Sequence, residues 1–238
     1  MSSSEAPGST EAPSTGVWPA EDIDGLAVRF TSPDPRPRPD EYMPVLEGAA
    51  IRLEPMREEH LEALCAVGLD PDITRLMPSP MRTREQMAAW VRDALAARRS
   101  LAAIPFVIVL ASTAAGPRIV GTSRFMSIDP RSRRMEIGAT WIGIPWQGTR
   151  VNTEAKYLML RHAFEVLQCI RLEFKTDSLN VRSRRALQRI GAVQEGVFRN
   201  HLITVDGRIR HSVFFSITAQ EWPHVRQRLE RMLERRPL

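Results

Sequence analysis

The sequence is short of lysine and cysteine. Only Lys156 and Lys175 are lysines, and 33 basic residues minus these two leaves 31 arginines, a skew that we attribute to genomic composition bias. The two cysteines, Cys65 and Cys169, are far apart in the chain. This spacing excludes a clustered thiolate metal site and a disulfide framework, and it indicates a reducing compartment.

Export and membrane signals are also missing. The start, "MSSSEAPGST", has neither the basic flank nor the apolar run of a signal peptide. The longest apolar stretch, "LAAIPFVIVLA", is too short to span a bilayer and contains Pro105. We therefore expect a cytoplasmic protein that does not act at a membrane.

The overall composition is that of a globular protein. The 238 residues are 43% hydrophobic and 26% charged, which is enough for a substantial core. The net charge of +5 could favour an anionic partner such as nucleic acid. However, 28 acidic residues are intermixed with the basic ones, so a solvated surface is the simpler interpretation and nucleic acid is not an expected partner.

The first part of the chain differs from the rest. Residues 1–40 hold seven of the 18 prolines and few apolar side chains. Such a segment cannot offset its ordering entropy, so we predict a mostly disordered extension over residues 1–44 and a single domain over residues 45–238. The segment "VWPAEDIDGLAVRF" is an exception that could dock on the folded part through Trp18, Leu26, Val28 and Phe30.

Hydrophobic periodicity from about Val45 predicts an α/β domain of the α+β type. The pattern gives the order β-α-α-β-β-β-α-β-α-β-β-α, typical of a mixed, mostly antiparallel sheet flanked by helices on both faces. Thr83 is the predicted N-cap of the second helix, Gly191 a predicted helix C-cap, and Asp206–Gly207 the predicted turn of the last hairpin. The predicted elements are "AAIRLEPM", "REEHLEALCAVG", "REQMAAWVRDALAARR", "IPFVIVLA", "RIVGTSRFM", "RRMEIGATWIG", a helix through about Leu167, "IRLEFKTD", "NVRSRRALQRIG", "VQEGVFRNHLI", "IRHSVFFSI" and "QEWPHVRQRLERML".

Two segments carry the motifs that point to a function. The succession "MEIGATWIGIPWQGTRVNTEAK … KTDSLNVRSRRALQRIGAVQEGVFRN" resembles the GNAT superfamily of acetyl-CoA-dependent N-acetyltransferases, in particular the ribosomal-protein alanine N-acetyltransferase type. The resemblance covers about residues 45–220. It implies acetyl-CoA as cosubstrate, no metal, and a primary amine as acceptor: a protein N-terminal α-amine or a small-molecule amine.

The resemblance also implies a binding site for acetyl-CoA. The strand before the loop would hold the pantetheine by backbone hydrogen bonds, and the loop and the next helix start would bind the pyrophosphate. An ordinary helix start with Asn152 or Thr153 as N-cap is the alternative. The implied cofactor-binding residues are Trp141, Ile142, Gln147, Gly148, Thr149, Arg150, Val151, Asn152 and, on the pantetheine arm, Asn180.

The loop departs from the family pattern, which resembles Q/R-x-x-G-x-G/A. Arg150 and Asn152 occupy the two positions where small residues are expected. If Arg150 adopts a left-handed backbone, we expect its guanidinium to replace part of the N–H cradle and to bind phosphate as a fork. The alternative is a right-handed backbone with Arg150 directed into solvent.

Ser183 is the first candidate catalytic residue. It lies three positions after Asn180, so both share one helix face, and the resemblance places Ser183 near the sulfur of the cofactor. Many superfamily members use a tyrosine further along this helix, where this chain has Leu187. A serine hydroxyl can hydrogen-bond the departing thiolate or protonate it. The alternative is that both residues only favour a helix N-terminus.

Glu136 is the second candidate catalytic residue. The superfamily often places a carboxylate on this strand facing the acceptor, where it can take the amine's proton through a water. The alternative is a solvated charge beside Arg133 and Arg134. The ribosomal-protein branch also carries a glutamate in its last hairpin, but "FRNHLITVDGRIRHS" has none, and His201 is a weak substitute.

The two cysteines have no placed histidine partner, so we expect direct attack in a ternary complex and no acyl-enzyme. A site with so few candidate general bases favours an α-amine as acceptor, because at neutral pH a far larger share of α-amines than of lysines is uncharged. The segment "DITRLMPSPMRTREQM" and the last hairpin are predicted to line the acceptor side. The rival hypothesis is a non-catalytic acyl-CoA-sensing or basic nucleic-acid-binding module on the same scaffold.

Overall fold

The computed structural model describes residues 43–111 and 116–235. The prediction for residues 1–42, including the docking segment, lies outside the described residues. The strands are β1 (Leu46–Glu47), β2 (Ile51–Pro55), β3 (Ala103–Leu110), β4 (Arg118–Asp129), β5 (Arg134–Ile142), β6 (Arg171–Asp177), β7 (Val193–Ile203) and β8 (Ile209–Thr218). The helices are α1 (Leu61–Gly68), α2 (Pro71–Thr74), α3 (Arg84–Arg99), α4 (Val151–Arg161), α5 (Val181–Ile190) and α6 (Trp222–Glu234).

The strands form one mixed sheet in the order β1-β2-β3-β4-β5-β6-β8-β7. Every neighbouring pair is antiparallel except β5 and β6, which run parallel. The predicted mixed, mostly antiparallel sheet is therefore confirmed. The single parallel pair follows from the chain order, because a parallel neighbour needs a crossover helix, and α4 provides it.

Helices cover both faces of the sheet, as the sequence predicts. On one face, Val151 and Leu158 of α4 and Leu229 of α6 join the larger apolar cluster. On the other face, Leu64 of α1 and Met87 of α3 belong to a second cluster. Strand β3 is buried along its whole length, which explains why its sequence is continuously apolar and does not alternate.

Caps and turns end the elements where the sequence indicates. The hydroxyl of Thr83 accepts a hydrogen bond from the backbone N–H of Gln86, 3.3 Å away, at the start of α3. Gly191 ends α5 with a φ of 101°, and Gly207 occupies the β7–β8 turn with a φ of 83°. Both glycines are in the left-handed region, which a residue with a Cβ rarely adopts.

Three short features were not predicted from the sequence. Strand β1 precedes β2, and the one-turn helix α2 interrupts a segment that we interpreted as a loop. The helix expected to continue to Leu167 changes into a π-helix over His162–Val166. Each of these features is only two to five residues long, which is too short for hydrophobic periodicity to show.

Within the described residues, no helix has the length and apolar character needed to cross a membrane. The same part of the chain contains no group of three or more His, Cys, Asp or Glu side chains placed to hold a metal ion.

Candidate active site

Strands β5 and β6 pair only over their first residues. The register joins Arg134–Glu136 to Arg171–Glu173 and ends there, although β5 continues to Ile142 and β6 to Asp177. Beyond Glu136, the backbone N–H and C=O groups on the facing edges of β5 and β6 no longer pair with each other. The strands therefore leave a gap whose backbone groups can bind a ligand.

A bulge in β5 lies beside this gap. Gly138 pairs with Arg124 and Trp141 pairs with Thr122, so β5 has one more residue between these pairs than β4. Within the bulge, Ala139 has a φ of 47°, which is uncommon for a residue with a Cβ. Bulges re-aim the side chains of a strand and are frequent next to functional sites.

The loop "WQGT" connects β5 to the start of α4. Gly148 has a φ of 80° and makes the turn. The hydroxyl of Thr149 donates to the carbonyl of Trp146 at 2.8 Å and accepts from the N–H of Val151 at 3.3 Å. The helix begins at Val151, so the expectation of an N-cap at Asn152 or Thr153 is wrong. The Thr149 hydroxyl takes part of the capping role instead.

Arg150 differs from both alternatives that the sequence offered. Its backbone is right-handed, with φ −70° and ψ −17°, so the premise of a left-handed, strained loop is wrong. The side chain does not extend into solvent either: Arg150 Nε lies 3.2 Å from Oε2 of Glu154, and the two side chains are 19% and 2% exposed. The other oxygen of Glu154 accepts a hydrogen bond from the N–H of Ala50 at 2.9 Å. Arg150 is thus part of a buried contact between α4 and the start of β2.

Gln147 holds the loop in place. Its Nε2 donates to the carbonyl of Ile142 at 2.8 Å, and its Oε1 accepts a hydrogen bond from Arg182 in α5. The amide of Gln147 therefore links the end of β5, the loop and the first turn of α5. These contacts bring the two sequence motifs together at the end of the sheet where β5 and β6 separate.

Asn180 is the N-cap of α5. Its Oδ1 accepts a hydrogen bond from the N–H of Ser183 at 3.0 Å. The interpretation of Asn180 as helix N-terminal chemistry is thus confirmed for this oxygen, and a contact with a cofactor stays a prediction. Ser183 is half-buried, and Leu187, where a tyrosine is common in the superfamily, is buried in the core. Ser183 therefore supplies a hydroxyl group at the start of α5.

Glu136 is buried and paired. It is 3% exposed, so the interpretation as a solvated surface charge is wrong. Its Oε2 lies 2.9 Å from Nζ of Lys175 on β6 and accepts a hydrogen bond of 3.4 Å from Ser127. Oε1 accepts no hydrogen bond from the described residues. Gly138 makes room for it, because a Cβ there would lie 2.9 Å from Oε1.

Lys156 is a buried residue that the sequence interpretation missed. Its Nζ donates to Oγ1 of Thr140 on β5 at 2.8 Å and lies 5.7 Å from the ring centre of Phe174 on β6. The amine therefore lies between the separated strands. Burial lowers the pKa of Lys156 to about 7, although the charge of Glu136 opposes the shift. The only available signal was its position within the apolar face of α4.

The two segments predicted to line the acceptor side meet each other. The N–H of Val205, in the β7–β8 turn, donates to the carbonyl of Pro78, between α2 and α3, at 3.0 Å. On the hairpin, His201 Nδ1 lies 2.9 Å from Oγ of Ser212, and the rings of Phe198 and Phe214 are 4.1 Å apart. His201 is thus engaged with its own hairpin.

Comparisons with known proteins agree with this geometry. Residues 50–193 match the family described as Acetyltransferase (GNAT) domain. A crystal structure of a GCN5-related N-acetyltransferase from Brucella melitensis superposes with a TM-score of 0.72 at 30% identity, covering 80% of this chain and 85% of that one. Mycobacterium smegmatis RimJ, in complex with CoA-disulfide, superposes with a TM-score of 0.64 at 26% identity, covering 79% and 91%.

A sequence relative supports the branch suggested by the motifs. YdaF of Bacillus subtilis (strain 168), whose name assigns it provisionally to the ribosomal N-acetyltransferases, is 31% identical over 104 residues. The match spans 44% of this chain and 56% of YdaF, so it covers about half the length of that relative. The names of these relatives are consistent with the predicted resemblance to the ribosomal-protein branch. Since the family match includes the separated strands, the loop and the start of α4, the chain belongs to the GNAT acetyltransferase family and is an acyltransferase.

Proposed function

We propose that this enzyme transfers the acetyl group of acetyl-CoA to a primary amine by direct attack in a ternary complex. The acceptor is a protein N-terminal α-amine or a small-molecule amine. The observation that carries the proposal is the position of the gap between β5 and β6, with the start of α4 at its end and the buried carboxylate of Glu136 where the pairing stops.

The residues around the gap fit acetyl-CoA, which supplies an acetyl group activated as a thioester. The first turn of α4 has backbone N–H groups without partners inside the helix and the positive end of the helix dipole, which suit a pyrophosphate. In the same turn, Oγ1 of Thr153 is buried and has no hydrogen-bond partner among the described residues. A Cβ on Gly148 would meet nothing within 4 Å, so the loop is open to a ligand.

Different groups would hold different parts of the cosubstrate. The backbone of Trp141 and Ile142 would bind the pantetheine arm, with the amide nitrogen of Asn180 opposite. The pyrophosphate would lie on the backbone of the loop and helix start, formed by Gln147, Gly148, Thr149, Arg150, Val151 and Asn152. The side chains of Gln147 and Arg150 would shape the loop, because both already have protein partners.

Glu136 and Ser183 would move the protons. As the amine nitrogen bonds to the acetyl carbon, the carbon–sulfur bond breaks and the amine loses a proton. Glu136 would accept this proton through a water, using Oε1, since Lys175 and Ser127 hold Oε2. The Ser183 hydroxyl would donate a hydrogen bond to the departing thiolate.

The cysteines do not favour an acyl-enzyme route. Both are free, and burial raises the pKa of Cys169 to about 12. Burial also raises the pKa of Cys65. The thiolate is the nucleophilic form, so neither side chain is activated at neutral pH.

Steady-state kinetics tests the proposal. Purified protein is first titrated with acetyl-CoA by calorimetry, and thiol release is then followed over an amine panel of N-terminal peptides, amino acids and small amines. We expect acetyl-CoA binding, acetylated product by mass spectrometry, and intersecting double-reciprocal lines. CoA release without an acceptor that leaves an acetyl group covalently on the enzyme, or parallel double-reciprocal lines, would contradict direct attack.

The rival function has a different signature. A non-catalytic acyl-CoA-binding module would bind acetyl-CoA but acetylate no amine of the panel. A nucleic-acid-binding module would bind oligonucleotides with a steep salt dependence.

A further inference from the structure

Arg124 has buried donors that no described residue uses. It lies in β4, and its guanidinium carbon is 4.4 Å from the ring centre of Trp90 on α3. Its Nε and Nη2 are buried and have no hydrogen-bond partner among the described residues. The same holds for Nε1 of Trp141, and the ring centre of Trp141 is 6.4 Å from that of Trp90. A buried donor without a hydrogen-bond partner destabilises the folded state, so three such donors close together are unusual in a native fold.

The charges around Arg124 leave it without an anion. Within the part of the chain that the structure describes, no carboxylate lies within ion-pair distance of it, and Asp93 acts only at longer range. Glu136 is held by a lysine of β6, and Asp177 by Arg208. Burial lowers the pKa of Arg124 to about 10, so the guanidinium remains charged at neutral pH.

Arg124 is close to the proposed base. It pairs with Gly138 across β4 and β5, while Met126 pairs with Glu136, so Arg124 and Glu136 are diagonal neighbours on adjacent strands. A Cβ on Gly138 would lie 2.6 Å from Sδ of Met126 and 2.9 Å from Oε1 of Glu136, which places these groups on one face of the sheet. Diagonal neighbours are about 7–8 Å apart, a distance that a small acceptor can bridge.

We propose that Arg124 recognises a carboxylate of the acceptor, placed a few bonds from the amine that is acetylated. The carboxylate comes from an acidic residue next to the N-terminus of a peptide or from the α-carboxylate of a free amino acid. A guanidinium binds either group as a fork and is held flat against Trp90 while it does so. This inference rests on the proposed function, because it assigns the acceptor of the same site.

Matched acceptor pairs that differ in one charge test the site. One pair is a peptide that begins Ala-Glu and its Ala-Gln counterpart; the other is alanine and alaninamide, which distinguishes the two sources of the carboxylate. The wild-type kcat/KM should favour the acidic member of at least one pair by about 10- to 100-fold. Because the amine pKa differs within the second pair, the decisive quantity is the change of this ratio on mutation.

Arg124→Gln should abolish the preference, because it should lower kcat/KM for the acidic member far more than for its uncharged counterpart. Arg124→Lys should keep part of the preference, because lysine retains the charge but loses the fork. Arg92→Gln is the control, since Arg92 is an exposed arginine on α3. It should leave the ratio unchanged.

Tryptophan fluorescence separates the inference from the proposed function. The same acceptors are titrated into wild type and Arg124→Gln without acetyl-CoA. Charge-selective binding that depends on Arg124, without acetylation, would reject the proposed function and keep the anion site. Equal ratios in wild type and Arg124→Gln, for both binding and turnover, would overturn the inference.

Discussion

Both lysines of the chain contact the strands that form the gap, Lys175 from β6 and Lys156 from α4. Lys175 pairs with Glu136, whereas among the described residues the buried amine of Lys156 donates to the hydroxyl groups of Ser123 and Thr140 and to no carboxylate. An ammonium loses hydration when it is buried, and hydroxyl groups replace that hydration only in part. For this reason the pKa of Lys156 falls to about 7.

Lys156→Met should change how stability depends on pH. The pKa of Lys156 is lower in the folded state than in the unfolded chain, so between about pH 7 and 10.5 the unfolded state binds more protons. The free energy of unfolding of the wild type should therefore rise with pH in this window, relative to the variant, by several kcal/mol. The variant should be the more stable protein at pH 7.

Chemical denaturation of both proteins from pH 6 to 10 measures this difference. Thr140 keeps a hydroxyl partner in Ser123, 2.7 Å away, so the variant does not leave it unsatisfied. Parallel pH profiles for the two proteins would show that Lys156 titrates normally.

Glu136→Gln should lower activity in a pH-dependent way. The substitution keeps the shape and removes the base, so the loss should be largest at low pH, where few acceptor amines are uncharged, and should shrink as pH rises. The measurement is a pH profile of kcat/KM with one α-amine acceptor. An equal loss at every pH would assign Glu136 a structural role through its ion pair with Lys175.

Ser183→Ala should lower kcat and leave acetyl-CoA affinity nearly unchanged. A lost general acid or hydrogen-bond donor to the leaving group costs about 10²–10⁴-fold in rate. The backbone N–H that bonds Asn180 is retained, so the cap of α5 survives. Calorimetry with acetyl-CoA and initial rates together test this prediction, and an unaltered kcat would remove Ser183 from the mechanism.

At the level of elements, the start of α4 combines a binding surface with a structural contact. Its backbone is placed for an anion, while the carboxylate of Glu154 turns inward and bonds Ala50 beside β2. The guanidinium of Arg150 neutralises that buried carboxylate. The residue that replaces a small side chain in the loop thus stabilises the attachment of the helix.

Arg150→Met should therefore lower the free energy of unfolding by more than it weakens the binding free energy of acetyl-CoA. Removing one partner of a buried ion pair leaves the other charge uncompensated, which costs about 3 kcal/mol. The double variant Arg150→Met/Glu154→Gln should recover much of this loss, because the introduced glutamine side chain is uncharged and keeps an oxygen for the N–H of Ala50. Urea unfolding of the single and double variants measures the coupling.

The salt dependence of acetyl-CoA binding checks the same residue. The slope should be the same in wild type and Arg150→Met, since the guanidinium lies against Glu154. A shallower slope in the variant would show instead that the guanidinium of Arg150 binds a phosphate of acetyl-CoA.

For the whole molecule, we predict that residues 45–238 fold without the preceding segment. Among the described residues, those from Met43 to Leu229 supply the apolar clusters on both faces of the sheet. A chain that starts at residue 45 should keep its acetyl-CoA affinity and unfold within a few degrees of the full chain. A large drop in Tm would show that the apolar segment around Trp18 docks on the domain.

The order and type of nearly all long elements, the caps at Thr83 and Gly191, and the family follow from the sequence alone. This information is local: periodicity of 2 or 3.6 reports which face is buried, and Gly191 and Gly207 are needed because of their own backbone angles. Glu136 and Ser183 could be proposed from motif position alone.

Which charged side chains pair became visible only in the folded structure. Glu136 pairs with Lys175 across the parallel strands, and Arg150 pairs with Glu154. Arg124 lies over the ring of Trp90, with no carboxylate of the described residues in ion-pair distance. The side chains of Arg, Lys and Glu are long and flexible, so sequence spacing does not fix their ends. Their partners and protonation depend on burial and on charges brought in by other strands and helices, and these are set only when the sheet and its two layers have assembled.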